Sequence, residues 1–82
     1  MIYYLAIFSS ITYANKIKKI LDKQKGFTIL MHTPSSISPN GCSYCLRFKE
    51  DKLNEVINRA KETNTKILNI YKEEQGKYFL IK

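Results

Sequence analysis

Seven consecutive apolar residues, Ile2-Tyr3-Tyr4-Leu5-Ala6-Ile7-Phe8, stand next to the start of the chain. A strand with one wet face alternates apolar and polar positions, whereas this run has no polar position and is rich in β-branched and aromatic types. It therefore suits a central strand covered or crowded on both faces. In 82 residues, a length that buries only roughly 60–65% of the unfolded surface, the rest of the fold has to be laid around that strand.

The remaining patterns are short and alternate in period. Ser9-Ser10 offers hydroxyl caps, and from Ile11 the apolar residues Ile11, Ala14, Ile17, Ile20 and Leu21 recur at helical spacing against a lysine-rich opposite face. This amphipathic helix is expected to stop at Gly26. Phe27–His32 reads as a second strand, closed by Thr33-Pro34 because proline cannot continue a ladder. Tyr44-Leu46-Phe48, interleaved with Cys45-Arg47-Lys49, has period two and gives a third strand. Glu50-Asp51 opens a second helix with Leu53, Val56, Ile57 and Ala60 as its buried stripe, and Thr63-Asn64-Thr65 ends it. Ile67–Tyr71 is a fourth strand, Glu73–Gly76 a turn, and Tyr78–Ile81 a fifth strand.

Strand, helix, strand, strand, helix, strand predicts an α+β chain: a ferredoxin-like βαββαβ sandwich, with one antiparallel sheet, two helices on one face and a C-terminal hairpin strand. Residues 1–82 form a single domain, with 1–72 as the core and 73–82 as the appended turn and strand. In that arrangement the third strand lies between the first and second and runs antiparallel to both. The start of the third strand then neighbours Ser9, Ser10 and His32.

Rare residue types crowd into Pro34–Lys49, which holds both cysteines and both prolines. Cys42 and Cys45 are three positions apart, so a bridge between them closes almost no loop and reads as reactive rather than structural. Reduced thiols fit the cytosol, and a seven-residue apolar run with no basic residue before it is neither a membrane span nor a targeting segment. A zinc site needs about four ligands, and two cysteines with one histidine do not supply them. No metal is expected. The net charge of +7 invites nucleic acid or an acidic partner, but it comes mainly from lysine, and arginine is the better phosphate reader.

A thiol becomes a nucleophile as a thiolate, and a helix N-terminus or a cation favours that form. Cys42 and Cys45 are the candidate reactive residues. Ser9, Ser10 and the first amides of the first helix face Cys42 across the sheet end, His32 is the candidate acid/base partner, and Asn40-Gly41 brings backbone amides to the thiol. Cys45 shares its strand face with Arg47 and Lys49, whose charges are expected to stabilise a thiolate, persulfide or selenide. The apolar face away from the helices, with Tyr3, Leu5 and Ile7, suggests self-association as a homodimer.

The run Tyr3-Tyr4-Leu5 to Phe8-Ser9-Ser10, a helix with Ala14, then Ile37-Ser38 before Cys42 and Leu46-Arg47-Phe48, resembles the selenium/sulfur carrier protein-like family of small bacterial domains. The resemblance covers about Ile2 to Tyr71. It implies a cytoplasmic carrier holding sulfur or selenium on Cys42 as a transient adduct, with no other cofactor, between donor and acceptor proteins. The chain departs from the commoner pattern in Pro39-Asn40-Gly41 ahead of Cys42 and in a serine rather than a glycine after it. Cys45, which a simple carrier does not need, brings in a resolving role. The alternatives are a non-catalytic basic module binding RNA or a protein, and a thiol-disulfide redox regulator. None of these readings requires an enzyme with turnover.

Overall fold

The computed structural model of the chain describes residues 2–8, 10–23, 28–38 and 44–81. The expectations for Ser9, Gly26, Phe27, Asn40, Gly41 and Cys42 lie outside the described residues. In chain order the elements are β1 (Tyr3–Phe8), α1 (Ile11–Lys23), β2 (Thr28–His32), β3 (Tyr44–Lys49), a 3-10 turn (Glu50–Lys52), α2 (Leu53–Glu62), β4 (Ile67–Glu74) and β5 (Lys77–Leu80). The sheet order is β2-β3-β1-β4-β5, and every neighbouring pair is antiparallel. β3 lies between β1 and β2, as its sequence position and pattern led one to expect.

β1 occupies the middle of the sheet and is buried from Tyr4 to Phe8. Alternation sends Tyr4, Ala6 and Phe8 to the side where both helices pack, with Ala14, Ile17 and Leu21 from α1 and Val56 and Ala60 from α2. Leu46, Phe48 and Ile70 complete that layer, and Tyr4 and Phe48 stack with ring centroids 6.3 Å apart. Each fully buried Leu, Ile, Val or Phe contributes about 1.5–3 kcal/mol. That sum, opposed by chain entropy, is what holds so short a chain folded.

The other face is not left open. Leu5, Ile7 and Cys45 are fully buried there, with Met31, Ile37, Leu68, Tyr71 and Tyr78 packed against them. Ile37 reaches this cluster through a turn in which its N–H donates to the Pro34 carbonyl at 3.0 Å. The middle of the second face is thus covered within the chain, while Ile29 and Leu80 on its outer strands remain exposed.

Helix ends follow their residues. The Ser10 hydroxyl accepts from the Tyr13 N–H at 3.4 Å and the Ser10 carbonyl from Ala14, so Ser10 caps α1. Past the end of α2, Asn64 has a φ of +57°, and Asn64 and Thr65 donate back to Lys61 and Ala60. β4 runs three residues beyond the stretch its apolar pattern marks. The turn is only Gln75-Gly76, both with positive φ as a two-residue hairpin demands. Glu73 and Glu74 are thus strand residues and not part of the turn.

Candidate functional site

At the end of the sheet where β1 and β2 finish and β3 and β4 begin stand Ser10, His32 and Tyr44. Tyr44 pairs with Phe8 on one side and His32 on the other. The His32 and Tyr44 rings lie 4.6 Å apart, tilted by 35°. His32 is exposed, and Ser10 stands two residues past Phe8 at the head of α1. The Ser10 hydroxyl is already used by its own helix. Cys42 precedes Tyr44 by two residues and is outside the described residues, as are Ser9 and Gly41.

Cys45 lies one row deeper, opposite Ile7 and Met31. Its sulfur is free and fully buried. Burial pushes the thiol up to about 11, the nearby Thr33 hydroxyl pulls it partly back, and the Glu73 carboxylate adds to the rise. That hydroxyl is itself buried without a hydrogen bond of ordinary geometry, so its hold on the sulfur is weak. The expected electropositive setting for Cys45 is corrected. The strand face was read properly, but that face is covered by the Pro34–Ile37 turn and by side chains from β2 and β4.

Arg47 does not serve the thiol either. Its Nε donates to a Glu73 oxygen at 2.9 Å and its Nη2 to the other at 3.4 Å, a bidentate pair that spans β1. The guanidinium also lies over the Tyr3 ring, 3.9 Å from its centroid. With its charge matched by Glu73, Arg47 offers Cys45 no net positive field, and Glu73 is the charge the sulfur feels. Glu73, Thr33 and Ile37 were absent from the residues expected at the site. The Gln75-Gly76 pair was the signal for Glu73, because a two-residue turn there continues the Asn69-Tyr71-Glu73 alternation along β4.

Tyr71 and Tyr78 are half-buried against the Leu5–Ile7–Cys45 cluster, and Tyr3 lies under Arg47. Among the described residues no group of three or more His, Cys, Asp or Glu could hold a metal ion, and no helix is long and apolar enough to cross a membrane.

Residues 3–72 match the family described as "Putative Se/S carrier protein-like". No curated protein and no solved structure matches the chain.

Proposed function

Since this chain belongs to the Se/S carrier protein-like family, we propose that it carries a sulfur or selenium atom on Cys42, in the cytoplasm, between a donor and an acceptor protein. The observation that carries the choice of residue is the burial of Cys45. A thiol held protonated to about pH 11 is a poor nucleophile, and this leaves the transfer to Cys42. Cys42 is two residues from Tyr44, in the part of the sequence that leads to the end of the sheet where α1 begins, and helix N-termini favour anions.

The transfer needs no external oxidant. The Cys42 thiolate attacks the outer sulfur of a donor persulfide, the donor's S–S bond breaks, and the donor thiolate leaves with the electron pair. The acceptor's thiolate then attacks the outer sulfur on Cys42, whose own thiolate is the leaving group. Neither step uses Cys45. Release by Cys45 attack on Cys42 would leave a disulfide that must be reduced, and the buried, protonated Cys45 is not arranged for it. The finer architecture follows the same reading: β1 to β4 with the two helices form a ferredoxin-like unit, and β5 is added at the free edge of β4.

Incubation with a cysteine desulfurase and cysteine is expected to add about 32 Da per sulfur atom to Cys42. Cys45→Ala should acquire the adduct and Cys42→Ser should not. An adduct that survives in Cys42→Ser, or none in the native chain, refutes the proposal.

A further inference from the structure

A second feature opens at the same end of the sheet, between α2 and β4. Between the last turns of α2 and the start of β4 lies a cavity of about 200 Å³, walled by Ile57, Ala60, Ile67, Leu68 and Ile70. A shallower depression of about 300 Å³ shares Ala60, Lys61 and Thr65 with it and adds Asn64 and Lys66. The left-handed Asn64 turns the chain sharply away from α2, and Ala60 is too small to fill the gap that the turn leaves. Beyond the cavity, Ile81 donates its N–H to the Ile70 carbonyl at 2.9 Å, and Phe79 and Ile81 are 49% and 43% exposed.

The charges around this groove are of one sign. Lys61 and Lys66 are exposed, and neither takes part in an ion pair among the described residues. The Arg59, Ala60 and Lys61 carbonyls at the end of α2 are already bonded by Thr63, Thr65 and Asn64, so these three do not repel an anion as open ones would. A second copy of the chain fits poorly. Five of its seven carboxylates are held in ion pairs, and the remaining two, Glu50 and Asp51, follow the far end of β3 between Lys49 and Lys52. Two chains of charge +7 also repel each other.

We propose that this groove receives an acidic segment of a partner protein. A large apolar side chain of that segment enters the cavity and its flanking carboxylates reach Lys61 and Lys66, a buried anchor inside a charged rim. Ile67 and Tyr44 both pair with Phe8, so a seated partner lies two strand spacings, roughly 10 Å, from the start of β3. Only the use of that nearness in sulfur transfer rests on the carrier reading, and the chemistry of the groove does not.

The test uses Cys42→Ser protein, in which sulfur transfer plays no part, and a blocked pentapeptide with phenylalanine between two pairs of acidic residues. Amide shifts in a nitrogen-15 titration are expected to saturate at Ile57, Lys61, Lys66 and Ile67. Lys61→Glu with Lys66→Glu should weaken binding about tenfold, and Lys16→Glu with Lys19→Glu, an equal charge change on α1, less than about threefold. The same peptide with serine for phenylalanine should lose the response at Ile57 and Ile67. Equal losses in the two double variants, no saturable response, concentration-dependent shifts at these residues without peptide, or tighter binding of an oligouridylate there would each overturn the proposal. Loss of the Cys42 adduct leaves this titration unaffected, so the two readings fail separately.

Discussion

The centre of the sheet is buried on both faces, and the two faces are covered by different means. On one, two amphipathic helices press aliphatic stripes onto Tyr4, Ala6, Phe8, Leu46 and Phe48. On the other, no helix is present, and Leu5, Ile7 and Cys45 are covered by a loop turn, two tyrosines and neighbouring strand residues, with the Arg47–Glu73 pair beside them. A face roofed by helices depends on the volume of its side chains. A face roofed by single side chains depends on each contact, and its polar members set the chemistry of what lies beneath.

The largest expected effect separates the two kinds of cover. Phe8→Ala should destabilise by about 3–5 kcal/mol, because the rigid helices cannot close the cavity. Leu5→Ala should cost about 2–3 kcal/mol, toward the low end of its range, because the turn and the tyrosines can settle inward. Urea midpoints at a common slope measure both, and equal losses would mean that the covers are mechanically alike.

A smaller effect concerns the sulfur under the second cover. Folded, Cys45 keeps its proton to about pH 11, and unfolded it releases it near 9. Between those values the unfolded chain binds fewer protons, so the contribution of Cys45, complete below about pH 9, is lost as pH rises toward 11. The amount is about 3 kcal/mol at most, from about 1.4 kcal/mol per pH unit. Thermal unfolding of native and Cys45→Ala chains across that range should converge, and parallel curves would contradict the assignment. Native protein should also alkylate at Cys45 only after denaturant is added.

The smallest effect is on the ion pair. Arg47 and Glu73 side chains remain 29% and 21% exposed, so Glu73→Gln should cost only about 1 kcal/mol. It should also bring the onset of Cys45 ionisation to lower pH, because Glu73 raises it. A urea midpoint and a pH profile of thiol alkylation in mild denaturant check the two parts. An unchanged profile would show that the cover over Cys45 acts by exclusion of water alone.

What could be read from the sequence divides along the same line. Periodicity sufficed for β1, both helices and the inner strands, because their burial is set by neighbours at fixed spacing. It placed Cys45 and Arg47 on a common face. It did not show that the face was covered, since Ile37 and Thr33 reach it through a turn without periodicity, and Glu73 through a pairing 26 residues away. The charged run Tyr71-Lys72-Glu73-Glu74 hid the end of β4, where strand structure is held by the hairpin partner and not by apolar alternation. Of the candidate site residues, Ser10 and His32 stand at the expected end of the sheet, and Ser9, Gly41 and Cys42 fall outside the described residues.

The Gln75-Gly76 hairpin has a reach beyond its own strands. Glu73 and Tyr78 lie past residue 72, where the match to the family stops, yet one balances Arg47 and the other packs on the central cluster. A chain cut after Lys72 would lose its outermost strand, leave β4 as a raw border with unsatisfied amides, and strip Arg47 of its counterion. The chemical silence of Cys45 is thus conferred in part by residues beyond position 72, so a deletion there would alter the acidity of a thiol 27 residues earlier in the sequence.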